Sequence, residues 1–407
     1  MSILKGKLVV LGVSGGIAAY KSCELVRLFT KAGATVQVVM TDVAAELVGP
    51  LTFQALTGRP VEVGHGGRLA SAGMDHIDLG RDADCIAVAP ATANTLAKIS
   101  NGLADNLLTS TVLASTCPVV MAPAMNTRMW QNAMTQKNVD TLRANERFLI
   151  VGPDEGDLAC GESGPGRMVQ PGEIFAETER SLGPRDLQGK TILVTAGPTR
   201  EAVDPIRFLS NRSSGKMGYA LAQEAYARGA RVVLISGPVS LKPPYGVELV
   251  KVESAAQMAK AVDKHRIGSH VIIMAAAVAD FRPSKKSGTK LKKTKDKMPV
   301  SWTRTKDILA GLGRAYKGKR KRPFLVGFAA ETGDPVPAAS KKLKTKGLDL
   351  VVANDVSLPD AGFAVDTNKV HLVEKDSVIS LDLMSKRDTA SAILDRVVEL
   401  RYGPVYG

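Results

Sequence analysis

The chain has 407 residues, of which 44% are hydrophobic and 23% are charged. This length favours two or three domains with a sizeable core, and the composition excludes a disordered chain. Basic residues exceed acidic ones by 14, but 17 of the Lys and Arg residues fall in three short runs, 285–297, 314–322 and 341–346. Because the positive charge is local, it favours a polyanionic ligand or a solvated face over a protein that coats nucleic acid.

The cysteines are few and widely spaced. The chain has four of them, together with five histidines and no CxxC pair, so neither a zinc site nor a disulfide framework is indicated. This usage favours a reducing cytoplasm. No apolar run reaches the ~18 residues that a membrane helix needs, so no membrane partner is expected. Lys5 and Lys7 before an apolar run loosely imitate a signal peptide, but glycines interrupt that run, and secretion is disfavoured.

The first 183 residues alternate strand and helix patterns. An apolar run predicts a strand over 8–13, a glycine turn follows, and helical spacing covers 17–31 up to Gly33. Further strands are predicted over 36–40, 85–89 and 119–121. This alternation predicts a parallel sheet with helices on both faces.

A second module of the same kind begins at Lys190. The segments "KAGATVQVV" and "ARGARVVLI" describe the same structural step in the two modules. Strands are predicted over 191–195, 232–236, 271–274, 324–328, 350–353 and 370–373, with a helix over 215–228 and a loop over 285–297. The predicted fold class is therefore α/β, with two tandem Rossmann-like modules at 1–183 and 190–407 and a linker at 184–189.

Three segments of the first module, residues 12–16, 89–94 and 122–126, lie where predicted strands end, which is where such folds bind ligands. The glycine turn holds Ser14, Gly15 and Gly16; it lacks the GxGxxG spacing, so a mononucleotide is a better expectation than NAD, and a tight turn without ligand remains open. Thr92 and Asn94 could bind a ligand or simply start a helix. The methionines around the third segment, Met121, Met125, Met129 and Met134, are expected to be packing residues.

Two titratable residues stand out in this module. His76 lies between Asp75 and Asp78, where a surface role is the simpler interpretation. Cys160 is flanked by glycines with Arg167 close behind, so its thiol could act as an acid or nucleophile on a flexible loop. Cys23, Cys85 and Cys117 lie in apolar segments and are interpreted as core residues.

Residues 1–183 resemble the flavin-dependent cysteine decarboxylases, and in particular the decarboxylase half of the bacterial bifunctional phosphopantothenoylcysteine decarboxylase/phosphopantothenate–cysteine ligases. Five ordered segments carry the resemblance: "GVSGGIAAYK", "HIDLGRDAD", "APATANTLAK", "PAMNTRMW" and "LACGESGPGRM". The resemblance implies FMN bound by Ser14, Gly15, Gly16, Thr41, Thr92 and Asn94. It also implies His76 near the flavin, Asn126 on the substrate carboxylate and Cys160 as proton donor.

The second module contains "SSGK" at residues 213–216. This suggests a phosphate loop, but it fails the Walker pattern, and a plain helix cap by Ser213 or Ser214 is an equal alternative. Residues 190–407 resemble the ligase half of the same bifunctional family through "TAGPTREAVDPIRFLSNRSSGKMG", "AAAVADFRP", "GFAAET" and "ANDV".

The ligase resemblance implies that CTP and Mg²⁺ activate 4′-phosphopantothenate as an acyl-cytidylate, which cysteine then attacks. It places Asn211 and Arg207 on the acyl intermediate and Lys290 at the reacting phosphate, with Asp280 as the metal ligand. The residues that it assigns to the nucleotide are Asp280, Lys290, Asp307, Ile308, Phe328, Lys342 and Lys346.

The expected protein is thus a bifunctional enzyme of coenzyme A biosynthesis, a homo-oligomer with trimeric decarboxylase and dimeric ligase contacts, possibly a dodecamer. Its partners are small molecules, with neither nucleic acid nor membrane among them. Rivals are a decarboxylase for another peptide, a non-catalytic FMN-binding regulatory protein and a nucleic-acid binder. The second module weighs against a decarboxylase for another peptide, and the presence of His76, Asn126 and Cys160 weighs against a non-catalytic protein. The scarcity of aromatic residues beside the basic runs weighs against a nucleic-acid binder.

Overall fold

The computed structural model describes residues 3–64, 76–157, 161–292, 300–360 and 362–403. The chain divides into two compact units, Met1–Gly183 and Pro184–Gly407. Each unit has its own sheet, and the predicted α/β fold class is confirmed. Within the described residues, no helix combines the length and apolar character that crossing a bilayer requires.

The first unit is built on a parallel sheet with strand order β3-β2-β1-β4-β5-β6. Its strands are β1 Leu8–Val13, β2 Thr35–Met40, β3 Glu62–Val63, β4 Cys85–Ala91, β5 Val119–Pro123, β6 Phe148–Ile150, β7 Asp154–Asp157 and β8 Ser163–Arg167. Its α-helices are α1 Lys21–Lys31, α2 Asp42–Leu47, α3 Pro50–Thr57, α4 His76–Asp82, α5 Ala93–Ser100, α6 Leu107–Ala114, α7 Thr127–Gln131, α8 Ala133–Arg143 and α9 Pro171–Leu182.

The strand order places a topological switch point between β1 and β4. The chain leaves β1 toward β2 on one side and later returns to β4 on the other, so the loops after β1 and β4 diverge and open a crevice. Residues of β1 and β4 such as Val10, Ile86 and Val88 are fully buried among helices, as the continuous apolar runs predict.

The second unit has a larger, mixed sheet with order β13-β12-β9-β14-β17-β18-β20-β21. Its strands are β9 Thr191–Ala196, β10 Arg200–Ala202, β11 Phe208–Ser210, β12 Arg231–Ser236, β13 Glu248–Lys251, β14 Val271–Met274, β15 Phe281–Pro283, β16 Trp302–Arg304, β17 Phe324–Glu331, β18 Leu350–Asp355, β19 Thr367–Asn368, β20 Val370–Val373, β21 Val378–Ser380 and β22 Met384–Ser385. Its α-helices are α10 Lys216–Ala227, α11 Ala255–His265, α12 Ile308–Tyr316, α13 Val336–Lys346 and α14 Lys386–Tyr402.

Alternate residues of the central strands enter different cores. On β9, Ile192 and Val194 pack with residues of α10 and α14, whereas Leu193 packs with residues of α11, α12 and α13. Both faces of the sheet are therefore covered, and helices on both sides hold the strand ends in place. The switch point of this sheet lies between β9 and β14, as the strand order requires.

Candidate active sites

A cavity of about 1020 Å³ opens at the switch point of the first unit. Its volume is in the range of sites that hold a cofactor or a large ligand. Most of the residues that the sequence assigns to the flavin or to the substrate carboxylate line it: Gly15, Gly16, Thr41, Thr92, Asn94 and Asn126. Residues more than one hundred positions apart in the chain thus meet at one edge of the sheet, as parallel strands dictate.

Ser14 is placed differently from the other predicted flavin residues. It is buried, its hydroxyl donates to the Pro90 carbonyl oxygen at 2.7 Å, and its Oγ accepts the Thr92 N–H at 3.0 Å. Ser14 therefore links the end of β1 to the end of β4 through two hydrogen bonds, while Gly15 and Gly16 line the cavity. A side chain at Gly15 would lie 2.5 Å from Val43 Cγ1, so the turn leaves no room for a Cβ on that side.

Thr41 and Thr92 combine two roles, which the sequence left open for Thr92 alone. Thr41 Oγ1 accepts the Ala44 N–H and Thr92 Oγ1 accepts the Thr95 N–H, each at 3.3 Å, so both are helix N-caps. Both also line the cavity. A hydroxyl that accepts a backbone N–H keeps its own hydrogen, so a capping threonine can still donate to a ligand.

Asn126 follows β5 and is held in one orientation. Its Oδ1 accepts the Arg128 N–H at 2.8 Å as the N-cap of α7, and its Nδ2 donates to Glu162 Oε2 at 2.8 Å. Glu162 also pairs with Arg128 at 3.2 Å. The Asn126 amide N–H therefore donates to a carboxylate oxygen, and a substrate carboxylate could accept the same hydrogen bond.

The hairpin of β7 and β8 packs against the Asn126 turn through backbone. The Met125 N–H donates to the Gly166 carbonyl oxygen at 2.9 Å. Gly166 has a φ of +147°, and a Cβ there would lie only 2.3 Å from the Met125 oxygen. Only glycine fits this approach. Cys160, the predicted proton donor, belongs to the connection between β7 and β8 and lies outside the described residues.

Three cations in the described part of the chain line the cavity, namely Lys21, Lys98 and Arg167, and the sequence pointed only to Arg167, as a charge near Cys160. Lys21 Nζ donates to the Met168 carbonyl oxygen at 3.0 Å. Burial, and then the charge of Arg167, lower the pKa of Lys21. The signal in the sequence was that Lys21 ends the segment GVSGGIAAYK, which carries part of the resemblance, but the sequence assigned it no role of its own.

The remaining predictions for this unit have mixed outcomes. His76 is exposed at the first residue of α4, and the residues before it are outside the described ranges. Met121 is fully buried, but Met129 and Met134 are 50% and 67% exposed, so the prediction that these two are packing residues is wrong. Helix α7 and the start of α8 lie at the surface, and apolar spacing alone does not distinguish that from burial.

The thiols in apolar segments differ in burial. Cys85 is fully buried, and burial raises its pKa to about 12. Cys23 and Cys117 are half-buried, and burial raises the pKa of each. Raised pKa values leave little thiolate near neutral pH, so none of the three has the environment of a reactive cysteine.

In the second unit, the segments after β9 and β14 meet at the switch point. Pro198 and Ala277 form an isolated parallel bridge, and Asn211 Nδ2 donates to the Ala277 carbonyl oxygen at 3.0 Å. Asn211, predicted to bind the acyl intermediate, is therefore anchored at the point where this fold accepts ligands.

A cluster of predicted nucleotide residues lies near the ends of β17 and α13. Lys346 pairs with Asp307 at 2.9 Å, and Lys342 Nζ donates to the Phe328 carbonyl oxygen at 2.6 Å. Ile308 is buried beside them as the first residue of α12, and Asp307 is the N-cap of that helix. The cluster brings together five residues that the sequence assigns to the nucleotide.

The charges of this cluster have physical consequences. Burial alone would raise the pKa of Asp307, but hydrogen bonds from Ala310 and Lys346 outweigh it and lower that pKa. Burial, and then the charge of Lys346, lower the pKa of Lys342. Two lysines held close together against their mutual repulsion are typical of a place where an anion binds.

Arg207 and Lys290 lie on two segments that are bonded together. Arg207 Nη2 donates to Asp204 Oδ2 at 2.5 Å and to the Leu291 carbonyl oxygen at 2.7 Å. Lys290 itself is exposed. Asp280 contributes its carbonyl oxygen to the Thr305 N–H at 2.9 Å. Residues 293–297 of the predicted lysine-rich loop lie outside the described residues.

The Ser-Ser-Gly-Lys segment is bonded to another part of the chain. Ser214 Oγ donates to the Phe363 carbonyl oxygen, and Lys216 Nζ donates to the Ala364 oxygen and to Asp366 Oδ1, both at 2.7 Å. The N-cap of α10 is Gly215, with no side-chain cap. The alternative of a serine helix cap is therefore wrong, and Lys216 fixes a loop.

Among the described residues, no group of three or more His, Cys, Asp or Glu side chains is placed to hold a metal ion. A preformed protein cage at Asp280 is thus not present in the part of the chain that the structure describes. Mg²⁺ that accompanies a nucleotide is commonly held by one or two carboxylates and the phosphates, so a single aspartate is compatible with it.

Comparison with known proteins covers both units. A family model described as Flavoprotein matches residues 2–183, and one described as DNA/pantothenate metabolism flavoprotein C-terminal domain matches residues 187–400. The coenzyme A biosynthesis bifunctional protein CoaBC of Vibrio parahaemolyticus is 46% identical over 402 residues, covering 98% of this chain and 100% of its own length. The protein of the same name from Bacillus subtilis is 46% identical over 403 residues, covering 98% of each chain.

A solved structure of the C-terminal domain of a coenzyme A biosynthesis bifunctional protein CoaBC is 42% identical. It covers 54% of this chain and 100% of its own, with a TM-score of 0.46. The resemblance predicted from the ordered segments of both modules is confirmed by the full-length relatives. The chain belongs to the family of coenzyme A biosynthesis bifunctional proteins CoaBC.

Proposed function

We propose that this enzyme catalyses two consecutive reactions of coenzyme A biosynthesis. The second unit joins cysteine to 4′-phosphopantothenate with CTP, releasing CMP and pyrophosphate. The first unit then removes CO2 from the cysteinyl product to give 4′-phosphopantetheine. The proposal follows from full-length similarity to bifunctional relatives and from the two sites described above.

The cavity of the first unit suits FMN. Gly15 and Gly16 of the glycine turn line it, together with Thr41, Thr92 and Asn94. Neutral donors near a strand-to-helix turn are the groups that bind a phosphate ester. The bound flavin would supply reversible oxidation of the substrate thiol to a thioaldehyde, whose C=S accepts the electrons left by CO2.

The residues of the chain have three tasks in the decarboxylation. Asn126 donates to the departing carboxylate, in place of its present contact with Glu162. Lys21 and Arg167 supply positive charge to the cavity wall for an anionic substrate. Cys160 donates a proton to the carbon of the enethiolate that remains once CO2 has left. The hydride that completes the saturated thiol would come from the reduced flavin.

In the ligase reaction, a carboxylate anion attacks a phosphate anion, so positive charge is needed to reduce the repulsion between them. The carboxylate oxygen of 4′-phosphopantothenate attacks the α-phosphorus of CTP, pyrophosphate leaves, and the cysteine amine then displaces CMP. Lys290 neutralises charge on the reacting phosphate, and the cluster of Asp307, Lys342 and Lys346 holds the nucleotide. Asn211 and Arg207 hold the acyl intermediate, and Asp280 contributes to Mg²⁺.

The assembly is proposed to be a homo-oligomer, with trimeric contacts in the first unit and dimeric contacts in the second, possibly a dodecamer. Its other partners are the three small substrates. Sedimentation of the purified protein tests this part separately from the chemistry.

The observation that carries the proposal is the switch-point cavity, which brings the glycine turn, both threonines and Asn126 to one place beside the hairpin of Cys160. The test is direct. Purified protein should be yellow, release FMN on denaturation, and form CMP from CTP only when 4′-phosphopantothenate and cysteine are both present. Protein that binds no FMN, or CMP formed without cysteine, would contradict it.

A further inference from the structure

Asp204 is a fully buried carboxylate that the reaction described above does not use. It belongs to the turn between β10 and β11, and its side chain has no exposed surface. Its Oδ1 accepts the N–H groups of Ile206 at 2.9 Å and Arg207 at 2.8 Å. Its Oδ2 accepts Arg207 Nε at 3.0 Å and Nη2 at 2.5 Å.

The same carboxylate reaches the lysine-rich segment, 87 residues later in the chain. Asp204 Oδ2 accepts the Leu291 N–H at 3.2 Å, while Arg207 Nη2 donates to the Leu291 carbonyl oxygen at 2.7 Å. Both backbone polar groups of Leu291 are therefore bonded to the Asp204–Arg207 pair. The Ser287 N–H, which donates to the Val203 carbonyl oxygen at 3.1 Å, is a second tie between the segments.

These ties matter because of what the segment carries. Residues 285–292 include Lys285, Lys286, Lys290 and Lys292, whose like charges repel one another. Lys290 is adjacent to Leu291, so a fixed Leu291 backbone fixes the Cα of Lys290. The hydrogen bond from Arg207 holds the pKa of Asp204 well below its usual value, so the carboxylate stays ionised at any working pH.

We propose that Asp204 is a positioning residue of the ligase: it orients Arg207 and, through the Leu291 backbone, holds Lys290 at the reacting phosphate. This inference rests on the proposed ligase function. It explains why a buried carboxylate lies beside the basic segment without forming an ion pair with any of its lysines in the described structure. The carboxylate binds backbone and Arg207, which leaves the lysine ammonium groups to meet the substrate.

Asp204→Asn is the decisive variant. An asparagine Oδ1 can still accept the N–H groups of Ile206 and Arg207, but its Nδ2 would face the Arg207 guanidinium and the Leu291 N–H as donor against donor. The turn is kept while the tie to Leu291 is lost. We expect ligase kcat to fall at least about tenfold, as misplacing a catalytic group does, with faster hydrogen exchange at the Leu291 amide.

Asp349→Asn is a matched control. Asp349 accepts Arg322 Nη1 at 2.7 Å and Nη2 at 2.5 Å, and it accepts the Leu325 N–H at 2.8 Å. The same kinds of bond are lost, but they lie at the amino ends of β17 and β18, whereas Asn211 is bonded just after the carboxyl end of β14. This variant should lose comparable thermal stability and keep ligase kcat.

A second background separates positioning from general damage. If Asp204 acts through Lys290, then adding Asp204→Asn to Lys290→Gln should lower kcat by a smaller factor than it does in the wild type, because the positioned charge is already gone and only the orientation of Arg207 is still lost. An equal fold-loss in both backgrounds, or an unchanged kcat in the single variant, would overturn the proposal. Should Asp204→Asn fail to fold, Ser287→Pro removes the second tie and tests the same non-additivity. A wild-type enzyme that forms no CMP would instead refute the ligase function itself.

Discussion

Gly166 is the position where a single added methyl group should separate the two activities. In Gly166→Ala, the new Cβ would start 2.3 Å from the Met125 oxygen, whereas ordinary Cβ contacts begin at 3.4 Å. The hairpin and the Asn126 turn must therefore move apart by about 1.1 Å. The φ of +147° adds roughly 1–3 kcal/mol of backbone strain for any residue other than glycine.

A displacement of this size would move the groups proposed to act in the decarboxylation. The Met125–Gly166 backbone bond lies next to Asn126, and the hairpin carries Cys160 at its connection. Misplacing reacting groups by about 1 Å commonly costs on the order of 100-fold in rate. We expect decarboxylase kcat to fall about 100-fold, while ligase kcat stays the same because its residues belong to the other unit.

The assay compares CO2 release from 4′-phosphopantothenoylcysteine with CMP release from CTP in the same preparation. Gly172→Ala is the control, since it lies on α9, has no atom within 4 Å of its added Cβ, and should leave both rates unchanged. Decarboxylase activity of Gly166→Ala at the wild-type level would refute the argument that this backbone contact positions the site. Equal loss of both activities would refute it as well.

The other predictions concern charge and proton transfer. Lys290→Gln should lower ligase turnover about 100-fold, as loss of one preorganised charge does, with CO2 release intact; Lys286→Gln in the same exposed segment is the control, and equal loss of both activities would count against separate sites. Cys160→Ser should still release CO2 but stall at an oxidised or unsaturated thiol, seen by mass spectrometry; a normal yield of saturated product refutes its role. Glu374 accepts Arg396 Nη2 at 2.7 Å, and this bond lowers its pKa from 4.5. The stabilisation is therefore complete above the unfolded value and is lost as pH falls through the folded one. The difference in Tm between wild type and Arg396→Met should shrink on acidification below pH 4.5, and a constant difference would contradict this.

Much of the fold could be predicted because buried parallel strands are continuous apolar runs. The strand predicted over 8–13 is β1, and those over 271–274 and 370–373 are β14 and β20, with the same bounds. Helix 17–31 begins with one 3-10 turn, Ile17–Tyr20, before α1. Strand ends elsewhere differ by a few residues, since the last pairs of a ladder depend on the neighbouring strand.

What was missed depends on partners that are distant in sequence. The hairpin of β7 and β8 is glycine-rich and half-exposed, so it has no apolar period to detect. Asp204 is fully buried and is bonded to Arg207 and Leu291, and the Leu291 contact spans 87 residues. The segment of Lys216 suggested a phosphate loop although it fails the Walker pattern, and in the structure Lys216 is bonded to Asp366, 150 residues later. Local patterns give residue types at strand ends, and only the tertiary structure gives their partners.

The central claim is that one chain forms the cysteinyl amide and then decarboxylates it. The most direct measurement follows CO2 released from carboxyl-labelled cysteine in the presence of 4′-phosphopantothenate, with and without CTP. We predict one CO2 for each CMP, with no CO2 when CTP is omitted and none when the flavin has been removed. CO2 release that does not need CTP, or CMP accumulation without any CO2 from flavin-loaded enzyme, would contradict the claim.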